Sequence, residues 1–143
     1  MKSLSIIAYL AMVGGLLVLL ATKSVFSPSF VVIATQVAAL LLGIWARITF
    51  GRRSYHVAAN PTEGGLVTTG PYHFIRHPIY TAVCLFTLPG VFAHWTWSSA
   101  LLGALVVACA LGRIFFEEKL LMARYPEYAQ YAATTSRMIP FLF

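Results

Sequence analysis

Long apolar runs with almost no charge inside them dominate this chain. A segment that enters a bilayer must satisfy its own backbone hydrogen bonds, so such runs fold as helices. Leu4–Ala21 is eighteen apolar residues, about 27 Å of helix and enough to cross the hydrocarbon layer. No A-x-A cleavage pattern follows it, so it is read as a retained span rather than a signal peptide. Further spans are expected at about 30–46, 79–93 and 98–116. The second has Arg47 at its end, snorkelling toward headgroups. Thr22–Ser29 reads as a short turn, 51–78 as a polar Gly/Pro-rich connection, His94–Trp97 as an interfacial turn with aromatic anchors, and 117–143 as a tail. The predicted fold is all-α: a multi-pass transmembrane helix bundle of four spans with a C-terminal cytoplasmic amphipathic helical tail. Residues 1–143 are read as a single integral membrane domain. Only 10% of residues are charged, against about 25% in soluble domains.

The charges orient this arrangement. Ten Lys/Arg stand against four Asp/Glu, a net +6. With four crossings, nine of the ten basic residues fall on the side of Lys2, the 47–78 region and the tail, and only Lys23 falls on the other. The positive-inside rule then puts both termini in the cytoplasm, at the inner membrane if the cell is bacterial. The chain is too apolar for nucleic acid to be the partner of this basic excess; anionic lipid headgroups, or anionic parts of a ligand, are. Cys84 and Cys109 lie in apolar runs, and their spacing suits no metal or redox motif. Small residues recur every four positions at Thr35/Ala39/Gly43 and at Ala100/Ala104/Ala108/Gly112, which predicts two close-packing helix faces.

Two polar clusters flank the later spans. The first is Gly64–Tyr80, GGLVTTGPYHFIRHPIY. Pro78 is suited to the first position of a helix, and the backbone N–H groups exposed there favour an anion. Arg76 adds a fixed charge, His77 a ring donor or acceptor, and Tyr80 a hydroxyl. An ordinary positive loop before a Pro-started helix is the alternative. The second cluster is Arg113, Glu117 and Glu118. Arg113 and Glu117 are four apart and share a helix face; Glu118 points elsewhere. Acids at the mouth of an apolar helix are paired, solvated or used. Glu117 is expected to hold Arg113 while Glu118 faces a polar ligand, or the reverse; a plain charged boundary is the alternative. Pro126 is expected to start a further helix with Tyr128 and Tyr131 on one face. That helix would act as a cover, bring Arg137 toward the acids, and let Met138, Ile139, Phe141, Leu142 and Phe143 anchor the chain end in apolar surroundings.

GPYHFIRHPIY, followed after two hydrophobic segments by RIFFEEKLLMARYPEYAQYAATTSRMIP, resembles the isoprenylcysteine carboxyl methyltransferase family. It is similar also to the wider group containing phospholipid N-methyltransferases. The resemblance rests on Gly70-Pro71-Tyr72, Arg76-His77-Pro78, Tyr80, Glu117-Glu118, Tyr128, Tyr131 and Arg137 to Pro140, and covers the chain from Gly64 onward. It implies an enzyme that takes S-adenosylmethionine as methyl donor, in a pocket between the cytoplasmic ends of the last two spans and the tail. Carried over, His77, Tyr80, Glu117 and Glu118 become cofactor-binding candidates. Arg76 and Tyr72 belong to the same region, with Arg76 able instead to stabilise the loop. Arg137 and Arg113 are the catalytic candidates, because a carboxylate acceptor needs a cation when it leaves water. The acceptor is expected to be a membrane lipid or another lipophilic molecule. A phospholipid or small apolar N- or S-methyl acceptor, and a non-enzymatic membrane scaffold, are the alternatives.

Overall fold

The computed structural model describes residues 2–51 and 65–142. Residues 52–64 of the expected connection, and the Phe143 end anchor, lie outside the described residues. Among the described residues five α-helices follow in order: α1 (Lys2–Ala21), α2 (Phe30–Phe50), α3 (Pro78–Ala93), α4 (Trp97–Arg124) and α5 (Tyr128–Thr134), with a 3₁₀ turn at Gly70–His73 before α3. The protein is an all-α, multi-pass membrane bundle: α1, α2 and α4 are each long and apolar enough to cross a bilayer, and α3 is a shorter apolar helix. Their outer faces carry Leu10, Leu17, Leu41, Ile44 and Leu101, all more than half exposed, as lipid contact requires.

α1 packs along α4, α2 packs along α3, and α3 meets α4. The chain thus places the helices side by side in the order α1, α4, α3, α2. Met12 and Leu19 of α1, Tyr80, Cys84 and Val91 of α3, and Val106, Ala110 and Ile114 of α4 form the buried core, which Met138 of the tail joins.

The turn between α1 and α2 seats the outer end of α3. A Cβ on Gly90 would fall 1.9 Å from the Val25 carbonyl oxygen, so only glycine permits this approach. Buried Gln36 donates from its side-chain amide to the carbonyls of Val25 (2.8 Å) and Phe86 (3.2 Å). Pro89 inside α3 lacks the N–H that would donate to the Leu85 carbonyl, and Gln36 reaches the next carbonyl along, that of Phe86. α4 begins with a capping box between Thr96 and Ser99, which satisfies two of the backbone N–H groups that a helix start leaves free.

The small-residue faces fare differently. Ala39 is buried and Gly43 sits against Ala82 of α3, as the spacing predicts. On α4, Ala104 and Ala108 are exposed, and a Cβ on Gly112 would meet nothing within 4 Å. The packed face instead runs through Ser99, Gly103, Val106, Ala110 and Ile114, because Gly103 admits Val91 and Gly15 of α1 admits Val106.

The end of α4 differs from the expectation. α4 continues to Arg124, so the charged stretch after 116 is helix rather than tail, and the helix beyond Pro126 is only seven residues long. Among the described end anchors Met138 joins the buried core, whereas Ile139, Phe141 and Leu142 lie on the surface of the bundle.

The two glycine environments give a paired test. Gly90→Ala should destabilise the protein by at least the roughly 1–3 kcal/mol of an overpacked core. Gly112→Ala should be neutral or stabilising by about 0.5–1 kcal/mol, because glycine is costly within a helix. Thermal unfolding of both variants in detergent micelles separates them; equal midpoints would contradict the packing described.

Candidate functional site

The site forms where the start of α3, the end of α4 and the tail converge. Gly70, at φ +58°, opens the 3₁₀ turn, and a Cβ there would strike Thr49 Oγ1 at 2.6 Å. This close approach fixes the turn to the end of α2. Residues 74–77 then run beside 136–137 as a short parallel pairing. Ser136 N–H donates to Phe74 (3.3 Å), Arg76 N–H to Ser136 (2.8 Å), and His77 N–H to Arg137 (2.9 Å). Thr81 Oγ1 donates to the Met138 carbonyl at 2.9 Å. The tail is thereby stitched to the first turn of α3, which Pro78 opens.

Glu118 is the hub of the side chains. Arg76 Nε lies 2.9 Å from Oε1, His77 Nε2 lies 3.3 Å from the same oxygen, and Arg137 Nε lies 3.0 Å from Oε2. The Arg76 and Glu118 side chains are only 8% and 7% exposed, so each must have its partner to remain charged there. Arg76 Nη1 also donates to the carbonyls of Ala132 (2.8 Å) and Thr135. A cation at the carbonyl end of α5 matches the polarity of that helix.

Glu117 organises the other half. Its Oε1 accepts from Tyr80 Oη at 2.5 Å and from Arg113 Nη2 at 2.9 Å. Arg113 Nε donates to Tyr80 Oη at 2.6 Å, and Nη1 donates to the Ser5 carbonyl of α1 at 3.0 Å. The same guanidinium stacks over the Tyr9 ring, 5.0 Å from its centroid. His77 lies between the two halves, with Nδ1 3.7 Å from Glu117 Oε2. The two acids, though they leave α4 in different directions, are joined through one imidazole.

The structure therefore brings Arg76, His77, Tyr80, Arg113, Glu117, Glu118 and Arg137 together. Glu117 holds Arg113 as the spacing predicts. Glu118, expected to face a ligand unless the two acids exchange roles, is engaged by three basic side chains. Of the two arginines singled out as catalytic, Arg113 is buried and Arg137 keeps 43% of its side chain exposed. Tyr72 stands to one side: its ring packs on Phe50 at 5.4 Å, and its carbonyl accepts from Tyr131 Oη at 2.6 Å. Burial, with the nearby Tyr131 and Glu117 adding to it, raises the Tyr72 hydroxyl above its ordinary range. Burial pushes the Tyr131 hydroxyl up to about 12. Burial disfavours the ionised phenol, so the fold loses stability as pH rises from the unfolded value of about 10 through about 12.

Sequence reasoning missed the part played by α1 and by Thr81, since a tyrosine and a threonine in apolar runs carry no signal of their own. It paired Tyr128 with Tyr131, and their rings do meet edge to face at 5.9 Å. It did not foresee that the Tyr128 hydroxyl, in a residue only 1% exposed, would lack a hydrogen-bond partner among the described residues. Among those residues, no group of three His, Cys, Asp or Glu is placed to hold a metal ion.

The model of the isoprenylcysteine carboxyl methyltransferase family matches residues 31–123. The chain belongs to this family. The match begins within α2, earlier than the Gly64 boundary drawn from the motifs, and ends before Tyr128, Tyr131 and Arg137. Two curated relatives are similar over a shorter stretch. The cobalt-zinc-cadmium resistance protein CzcN of Cupriavidus metallidurans is 41% identical over 80 residues, 52% of this chain and 35% of that protein. The nickel-cobalt-cadmium resistance protein NccN of Alcaligenes xylosoxydans xylosoxydans is 40% identical over 78 residues, 52% of this chain and 36% of that protein. The matched stretch is thus only about a third of each relative's length. No solved structure matches the chain.

Arg76 makes the tail's attachment testable in this member of the isoprenylcysteine carboxyl methyltransferase family. Arg76→Ala leaves Glu118 short of one cation and should cost about 3 kcal/mol or more. Arg76→Lys should rescue little, because a single ammonium cannot replace a planar fork shared between a carboxylate and two carbonyls. Limited trypsin digestion should cut after Arg137 faster in both variants. An unchanged digestion rate would show that the tail is held by other contacts.

Proposed function

We propose that this protein is an S-adenosylmethionine-dependent methyltransferase of the membrane, acting on a lipophilic acceptor that enters from the bilayer. The observation that carries this reading is the convergence of the Arg76-His77-Pro78-x-Tyr80 motif and the Glu117-Glu118 pair on one ion network, in a chain that belongs to a methyltransferase family. In this reading the chain acts as one membrane domain. α3 is its fourth span, with 16 residues giving about 24 Å, and both termini and the site face the cytoplasm. The tail covers the site, and the exposed apolar end at Ile139, Phe141 and Leu142 meets the lipid interface.

The residues fit the donor. Its charges are a sulfonium and an amino-acid zwitterion, and the site offers two carboxylates, three guanidinium groups and buried phenolic hydroxyls. Tyr128 Oη in particular is a buried polar atom without a partner among the described residues, as expected of a surface shaped for a polar ligand. When bound, the donor supplies a methyl group that its sulfonium already activates. The protein's task is alignment and exclusion of water. Glu117 and Glu118 favour a cation between them, His77 and Tyr80 fix their orientation, and Arg76 and Tyr72 hold the loop and turn that carry the motif. Arg137 and Arg113 are the cations available to an acceptor carboxylate. A carboxylate acceptor is already ionised near neutral pH and needs no strong base. An amine acceptor gives up a proton instead, and His77 or an acid takes it.

Transfer of labelled methyl from S-adenosylmethionine, assayed over a prenylcysteine panel and a lipid extract, tests the reading and identifies the acceptor class. Label is expected in a lipophilic product, and Glu117→Ala should reduce it by about 100-fold, since misplacing an aligned group costs about that much. No transfer to any acceptor, together with no binding of S-adenosylhomocysteine in micelles or nanodiscs, would reject the reading.

A further inference from the structure

Tyr128 is nearly sealed from solvent, at 1% exposure. Its ring is fixed edge to face against Tyr131. The two tyrosines are treated differently: Tyr131 Oη has the Tyr72 carbonyl at 2.6 Å, whereas Tyr128 Oη has no partner among the described residues. A buried hydroxyl without a hydrogen bond lowers the stability of the fold that carries it. The Tyr128 hydroxyl also feels the charges of the network, Glu118 foremost, with Arg76 opposing it and Tyr131 and Glu117 adding to it. Burial and the Glu118 carboxylate both keep it protonated, so it stands there as a neutral donor.

The geometry points to Tyr128 as a ligand-contacting residue whose hydroxyl donates to the amino-acid carboxylate of the methyl donor; this inference rests on the methyl-donor site proposed above. Charge complementarity selects that end of the donor. Around Tyr128 the charges alternate, with Glu118 bridged by Arg76 on one oxygen and Arg137 on the other. A zwitterion, which carries one charge of each sign a few bonds apart, matches such alternation. The adenine and ribose of the donor are neutral and do not. A neutral phenol with a proton to donate, beside guanidinium groups, suits an anionic oxygen. Tyr128 lies beyond the 31–123 stretch that the family model matches, so the assignment comes from the tail's geometry.

The test is Tyr128→Phe, which removes one oxygen and keeps the packed ring. Two ligands are compared on wild type and variant: S-adenosylhomocysteine, and 5′-methylthioadenosine, which has the adenosine and thioether but no amino-acid end. Calorimetry should show S-adenosylhomocysteine binding weakened about tenfold, a typical loss for a charge-assisted hydrogen bond, with methylthioadenosine binding unchanged. Thermal unfolding without ligand should show the variant as stable as wild type or more so, because an unsatisfied hydroxyl has been removed. A lower unfolding midpoint for the ligand-free variant would overturn the inference, since it would mean that the hydroxyl is bonded in the fold itself. Equal loss for both ligands, or no loss for either, would overturn it as well. If wild type bound neither ligand, the methyl-donor reading would fail, an outcome distinct from any of these.

Discussion

A carboxylate directly following another, at the end of a long apolar helix, is the constraint on which the site depends. Glu118 is buried, and so it requires cations around it. Arg76 comes from the loop before α3 and Arg137 from the tail beyond α5, and His77 sits at the helix start between them. One acid thereby joins two other stretches of chain, 76–77 and the tail, to the end of α4. Deleting a partner from such a network costs more than the pair contributes, because the remaining charge is left in a poorly solvated place. The arrangement therefore favours specificity: few other placements of the tail would satisfy Glu118.

Glu117 extends the same logic into the bundle. Through Arg113 it is tied to the Ser5 carbonyl and the Tyr9 ring. The first helix lies outside the family-matched residues, yet it supplies both contacts. α1 therefore sets the position of Arg113, and through it the Tyr80–Glu117 hydrogen bond. A helix with no motif of its own is coupled to the motif-bearing half by one guanidinium group that reaches across to it.

Much of this was legible in the sequence. Hydropathy placed α1 and α2, and Pro78 marked the first residue of α3. The i, i+4 spacing predicted the Arg113–Glu117 pair, and the family resemblance implied that RHP-x-Y and the acids would lie around one site. The end of α4 was not legible. Glu117, Glu118 and Lys119 look like a membrane boundary, but they are good helix formers whose charges find partners, so the helix runs on. It stops at Tyr125, whose extended backbone precedes Pro126; proline disfavours helix in the residue before it. The α4 packing face was misjudged because small residues at four-residue spacing permit close approach without requiring it. Gly103 and Gly15 decided the matter through bulkier neighbours, Val91 and Val106. The fate of Tyr128 Oη depends on where three other segments fall, and spacing alone cannot supply that.

The central claim is that the Glu117–Glu118 end of α4, the first turn of α3 and the tail together form one methyl-donor site. A structure solved with S-adenosylhomocysteine in a lipid nanodisc addresses it most directly. The account predicts the ligand bounded by His77, Tyr80 and the two acids, with its amino-acid end at Tyr128 and the Arg76–Glu118 bridge intact. Ligand bound away from these residues, or a tail detached from Glu118 in the bound protein, would contradict it.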